Sequence, residues 1–193
     1  MVERADPECK GFQDRFYGLL KSKSKQYLYK RYSFCNDYIG GKTVLDVPCG
    51  TGWGTSLLKG YKEVYGLDVS KEAIDYAADH FPGNYAVGDM TEMPYADDNF
   101  DVVICLEGFE HITFLEGQKF IKEAKRVLVP RGKLIMTVPL LQNRMNSRNP
   151  YHLCEYYEPE LKEILEREFE IELYEKEPSP AGVGVKCVLV NNK

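Results

Sequence analysis

The chain has 193 residues, 44% of them hydrophobic and 28% charged, a size and balance that suit one well-filled domain and exclude disorder as the default state. Its formal net charge of -5 disfavours a nucleic-acid partner, because an acidic surface repels a phosphate backbone. No apolar stretch approaches the roughly 18 residues that span a bilayer, and the opening MVERADPECKGFQD is too polar for a secretory signal. Six cysteines, at 9, 35, 49, 105, 154 and 187, form no CxxC pair and no metal-ligand spacing. Cys105 and Cys187 lie inside apolar runs, where cysteine acts as a small hydrophobe, so the expectation is a reduced, cytoplasmic chain with no metal and no disulfide framework.

Residues 1–40 are rich in aromatics (Phe12, Phe16, Tyr17, Tyr27, Tyr29, Tyr32, Phe34, Tyr38) and predict one or two helices laid as a cap across the carboxyl edge of a sheet. The KSKSK run at 21–25 reads as a solvated face. From Thr43 onward short apolar runs alternate with helical patterns. TVLDV (43–47) predicts the first strand, PCGTGWG a loop, and TSLLK the start of a helix. EVYGLDV (63–69) is the second strand, and SKEAIDYAADHF a helix with Ser70 as N-cap and apolar positions at 73, 74, 77, 78 and 81. NYAVGD (84–89) and DVVICL (101–106) follow as strands, then a helix over 114–128 stopped by Pro130 and Gly132, then the strand KLIMTV (133–138). EPELKEILEREF is helical, with a proline near its start. The last strands, EIELYE (170–175) and VKCVLV (185–190), are joined only by KEPSPAGVG, too short for a helical crossover, which predicts an antiparallel hairpin over 170–190.

Nearly continuous Val, Ile and Leu in several runs marks strands buried on both faces. Strand–helix alternation marks parallel pairing. The fold class expected is therefore α/β: a Rossmann-like, seven-stranded, mostly parallel sheet with an antiparallel C-terminal hairpin, helices on both faces and an N-terminal helical lid, all in a single domain over 1–193.

In such a sheet, ligands bind outside the carboxyl ends of the strands. Gly50 and Gly52 let the backbone turn tightly and approach a ligand with no Cβ between them, and Gly54 lets helix and strand pack closely. The spacing is not the GxGxxG of a dinucleotide site, since Thr55 stands in the third glycine position. Asp68 ends the second strand, 18 residues after Gly50, where a carboxylate accepts hydrogen bonds from both hydroxyls of a ribose. Asp89, at the end of the third strand, can accept a hydrogen bond from an adenine amino group, and Met90 offers a polarisable face.

At these residues the chain resembles the class I S-adenosylmethionine-dependent methyltransferases, closest to the broad methyltransferase type 11 family that includes the ubiquinone/menaquinone-biosynthesis-like enzymes. The carriers are VLDVPCGTGWG, YGLDVS, GDMTEMPYADDNFDVVICLEGFEHI and KRVLVPRGKLIMTVP, which span residues 43–139, the expected cofactor-binding core. The resemblance implies that Asp46 and the Pro48–Gly52 loop, Thr51 included, hold the methionine part of S-adenosylmethionine. It also implies Asp68 on the ribose, Val69 against adenine, Asp89 and Met90 at its edge, and Leu106 with Glu107 beside the sulfonium. Trp53 sits where the family often has an aromatic. The chain departs from the pattern at Pro48, usually a small or apolar residue, and at Arg131, which replaces a common glycine.

His111, in EGFEHI with Glu110 beside it, is the candidate catalytic base, the alternatives being a structural hydrogen bond and a substrate contact. Residues 140–161 resemble an acceptor-covering insertion, with Tyr151, His152, Glu155 and Tyr156 as candidate substrate-binding residues together with Tyr27, Arg31 and Tyr32. The function implied is methyl transfer from S-adenosylmethionine to an O, N or C atom of a small-molecule acceptor, with S-adenosylhomocysteine as product. Two alternatives stay open: an inactive binder of the cofactor or its product, and a nicotinamide-dependent oxidoreductase. The acceptor and the oligomeric state do not follow from the sequence.

Overall fold

A computed structural model describes residues 23–141, 151–179 and 182–193. The first 22 residues of the expected cap and residues 142–150 of the expected insertion lie outside the described residues. Seven strands form one sheet in the order β3-β2-β1-β4-β5-β7-β6. They are β1 (Thr43–Asp46), β2 (Glu63–Asp68), β3 (Asn84–Val87), β4 (Phe100–Leu106), β5 (Leu128–Leu140), β6 (Phe169–Ser179) and β7 (Gly182–Asn191). The first five strands are joined by four parallel pairings, and β7 enters antiparallel between β5 and β6. The predicted sheet and hairpin are those observed. Among the described residues four α-helices accompany it: α1 (Lys23–Cys35), α2 (Lys71–His80), α3 (Phe114–Val127) and α4 (Glu158–Glu166).

Consecutive residues of the central strands face opposite sides, so each strand feeds two cores. Leu45, Val103, Cys105, Leu134 and Met136 pack with Phe120, Ile121 and Ala124 of α3 and Leu161 and Leu165 of α4. Val44, Val102, Ile104, Ile135 and Val188 pack with Tyr32 and Cys35 of α1 and with Ile39. Tyr32 and Cys35 are spaced to bury one stripe of α1 on this aliphatic face, and Arg31 of the same helix reaches Glu107 at the carboxyl edge.

Ser70 caps α2 as expected, its side chain accepting from the Ala73 amide. The helix expected after the glycine loop does not form. Thr55–Leu57 make a single 3-10 turn, Leu58 is already extended, and Gly60 stands at φ +77°. Only five residues separate Gly54 from Gly60, too few to offset the cost of helix nucleation.

Strands β5, β6 and β7 are longer than their apolar runs. The helix preceding β5 ends at Val127, ahead of Pro130, and β5 begins at once with Leu128 opposite Phe100. Its register then slips between Phe100 and Val102, at a bulge where Arg131 takes φ +62°. Pro178 is tolerated in β6 because that strand is the sheet's edge. No helix among the described residues is long and apolar enough to cross a membrane.

Candidate active site

The carboxyl ends of β1, β2 and β4 meet at the glycine loop, where the Val47 and Cys49 amides donate to the Ile104 and Leu67 carbonyls. Gly50 and Gly52 adopt φ +54° and +74°, backbone that costs an L side chain about 1–2 kcal/mol. The two differ in what they face. A Cβ on Gly52 would stand 2.8 Å from the Ala77 Cβ, so that glycine admits α2. A Cβ on Gly50 would meet nothing within 4 Å, so Gly50 borders open space at the edge. At Gly54 a Cβ would lie 2.1 Å from the Tyr32 ring, so the position lets α1 close down on the loop.

Asp68, almost wholly buried, ties the loop to β2. Its carboxylate accepts from the Gly50 amide and from the Ser70 amide, each at 2.9 Å. One group thus sets both the glycine loop and the start of α2. Val69 next to it is 51% exposed, an apolar side chain held in solvent at the strand's end. Asp89 is exposed and closes a turn by accepting from the Thr91 amide and hydroxyl, while Met90 is buried in the larger core.

Asp46 is wholly enclosed beneath the loop. Thr55 donates to it at 2.6 Å and the Tyr32 hydroxyl at 3.2 Å, and burial pushes its carboxyl up to about 7 despite those two hydrogen bonds. Its contacts here are with the protein. Pro48, after a cis Val47–Pro48 bond, abuts Gly108, where a Cβ would lie 2.4 Å from the proline ring. That contact keeps the ends of β1 and β4 together. Trp53 is half-buried, its carbonyl accepting from Ser56.

Leu106 is buried and Glu107 follows at φ +52°, an uncommon conformation for a side-chain-bearing residue and a frequent one at functional edges. Glu107 is ion-paired with the buried Arg31, which also reaches Glu177 and donates to Thr137 at 2.8 Å. Tyr27 lies flat under the same guanidinium, 3.6 Å from its centre. Of the three α1 residues expected at the acceptor, Tyr32 is instead packed under the loop, Arg31 is a charge partner of β4, and Tyr27 is stacked on Arg31.

The described end of the insertion docks on the loop after β4. The Glu110 carbonyl accepts from the amides of Leu153 and Cys154, and His111 Nδ1 meets the Tyr151 carbonyl at 3.0 Å. His111 and His152 stand edge to face with ring centres 5.4 Å apart, and His152 Nδ1 bonds Glu155 at 2.9 Å. Tyr151, His152 and Glu155 therefore gather beside His111. Tyr156 does not: it is buried, stacked on Phe109, and belongs to the core. Thr137 and the partnership of Thr55 with Asp46 enter the site only through the structure; a threonine at the third dinucleotide glycine position is the sequence signal for the second.

Residues 45–136 match the family model described as "Methyltransferase domain". The chain is 31% identical over 139 residues to a protein of Mycolicibacterium smegmatis named "Probable S-adenosylmethionine-dependent methyltransferase", covering 68% of this chain and 53% of that one. It is 34% identical over 103 residues to the ubiquinone biosynthesis O-methyltransferase of Coxiella burnetii, covering 50% and 43%. The chain spans about half the length of these curated relatives. The crystal structure of the N-methyltransferase NodS from Bradyrhizobium japonicum, in complex with S-adenosylhomocysteine, shares the fold, with a TM-score of 0.74, 14% identity and 92% coverage of both chains. Sheet order, glycine loop and sequence match agree, and the chain belongs to the class I S-adenosylmethionine-dependent methyltransferases.

Proposed function

We propose that the protein transfers the methyl group of S-adenosylmethionine to an O, N or C atom of a small-molecule acceptor. The observation that carries this reading is the Gly50–Asp68 pair: a left-handed glycine facing open space, its amide held by a carboxylate at the end of β2. The product bound in NodS, on the same fold, supports it. In this reading the methionine part lies along the Pro48–Gly52 loop, Asp68 takes the ribose hydroxyls, and exposed Val69 lies against adenine with Asp89 and Met90 at its edge. Leu106 and Glu107 flank the sulfonium, whose positive charge suits an edge carrying three acidic side chains, at 68, 89 and 107.

The cofactor supplies an activated methyl group, and the chain's part is to align and to exclude water. The acceptor's lone pair forms the new bond to the methyl carbon as the sulfur–carbon bond breaks. That bond's electron pair stays on sulfur as a neutral thioether, and the acceptor loses a proton to solvent. His111, Tyr151, His152 and Glu155 would line the acceptor side. Incubation with methyl-labelled S-adenosylmethionine and a panel of phenols, amines and activated carbon acids tests this. Label transferred to one class, with stoichiometric S-adenosylhomocysteine, is expected. Tight cofactor binding with no transfer to any member would instead indicate a binding protein.

A further inference from the structure

We propose that Glu110, His111 and His152 form a binding site for a divalent transition-metal cation of the zinc class, beside the acceptor. Each residue offers one ligand atom, and these atoms all lie within 4.8 Å of one another. A tetrahedral cation with nitrogen and carboxylate donors at about 2.0–2.2 Å holds them about 3.3–3.6 Å apart, so side-chain closure of about 1 Å completes the set. The donor chemistry is specific: two imidazoles and one carboxylate suit zinc and its first-row neighbours rather than calcium or magnesium.

The surroundings are those of a built site. The Nδ1 atoms of both rings are engaged, that of His111 by the Tyr151 carbonyl and that of His152 by the Glu155 carboxylate. Each bond fixes ring orientation at Nδ1 and so assigns Nε2 as the ligand atom, the arrangement of supporting hydrogen bonds that accompanies metal-bound histidine. Glu110 is 2% exposed, and its backbone carbonyl pins residues 153–154, holding the neighbouring His152 over the loop after β4. The donors thus come from two segments already docked by main-chain hydrogen bonds. Three protein donors are the number that leaves coordination positions open, enough for an oxygen atom of an acceptor. That orienting role rests on the methyl-transfer reading; binding of the cation does not.

The full chain, stripped with a chelator, is titrated with Zn2+ alone by calorimetry and with Co2+ alone by visible absorption. One ion per chain is expected, with affinity reduced at least tenfold in His152→Asn and in Glu110→Gln. Glu155→Gln, which touches no ion, is expected to weaken binding about 10–100-fold as the loss of an outer-shell partner does. Circular dichroism of each variant separates loss of the site from loss of the fold. Absence of stoichiometric binding by the wild type, or equal affinity in folded His152→Asn, overturns the proposal. S-adenosylhomocysteine binding by the chelated protein is measured alongside, so that failure of the cation site and failure of the cofactor site are read separately.

Discussion

Arg31 on α1 and Glu107 at the end of β4 are ion-paired at the carboxyl edge, the guanidinium side chain 2% exposed and the carboxylate 25%. Arg31 holds Glu177 as well, at 2.8 Å, so one buried cation joins the first described helix, β4 and β6. Removing one member of a buried charge network leaves the others undercompensated. Glu107→Gln is expected to destabilise by about 1–3 kcal/mol, and less than Arg31→Met, which strips both carboxylates of their partner. A double-mutant cycle in denaturant should give coupling above about 0.5 kcal/mol. Additive effects would show that the pair is not an energetic unit.

Gly54 and Tyr32 interlock, since a Cβ at 54 would stand 2.1 Å from the ring. Gly54→Ala is therefore expected to cost about 1–3 kcal/mol through overpacking. In a Tyr32→Ala background the same change should cost much less. Equal costs in both backgrounds, read from denaturation midpoints, would mean that the ring moves aside freely.

Asp46 makes stability depend on pH. Burial raises its carboxyl to about 7 in the folded protein, against about 3.9 for an unfolded aspartate. Between those values the folded chain holds a proton that the unfolded chain has released, so this group's contribution is complete below about pH 4 and is lost as pH rises through about 7. Asp46→Asn, which keeps an acceptor for Thr55, should lose less stability than wild type over that interval. Thermal unfolding at a series of pH values checks it, and parallel profiles would contradict the assignment.

Arg131 occupies φ +62° in the bulge that opens β5. Its side chain makes an ion pair with Glu170, both groups being well exposed, which contributes little. Arg131→Gly relieves the backbone at that position, and the net effect expected is neutral to about 1 kcal/mol stabilising. Clear destabilisation in a chemical denaturation series would show that the ion pair or the guanidinium packing matters more.

The sheet was legible because aliphatic runs such as VLDV and DVVICL have few alternatives once helical patterns separate them. Strand ends were not, since Pro130 and Pro178 read as breakers while a bulge and a sheet edge accommodate them. The run TSLLK reads as a helix start only until the closeness of Gly60 is weighed. At the site, the glycines and Asp68 could be named from their spacing, but not the hydrogen bond that joins Gly50 to Asp68. Tyr32 and Tyr156 look like pocket aromatics in sequence and are buried packing residues in the fold. The three candidate cation donors were invisible as a set, because His152 reaches the other two only through docking of its segment on Glu110.

The cofactor site is tested by calorimetric titration of the wild type and Asp68→Ala with S-adenosylmethionine and S-adenosylhomocysteine, with NAD as control. Micromolar binding of both adenosyl ligands by the wild type is expected, with none or at least tenfold weaker binding in the folded variant, and no binding of NAD. Absence of adenosyl binding by the wild type, or tighter binding of NAD, would contradict it.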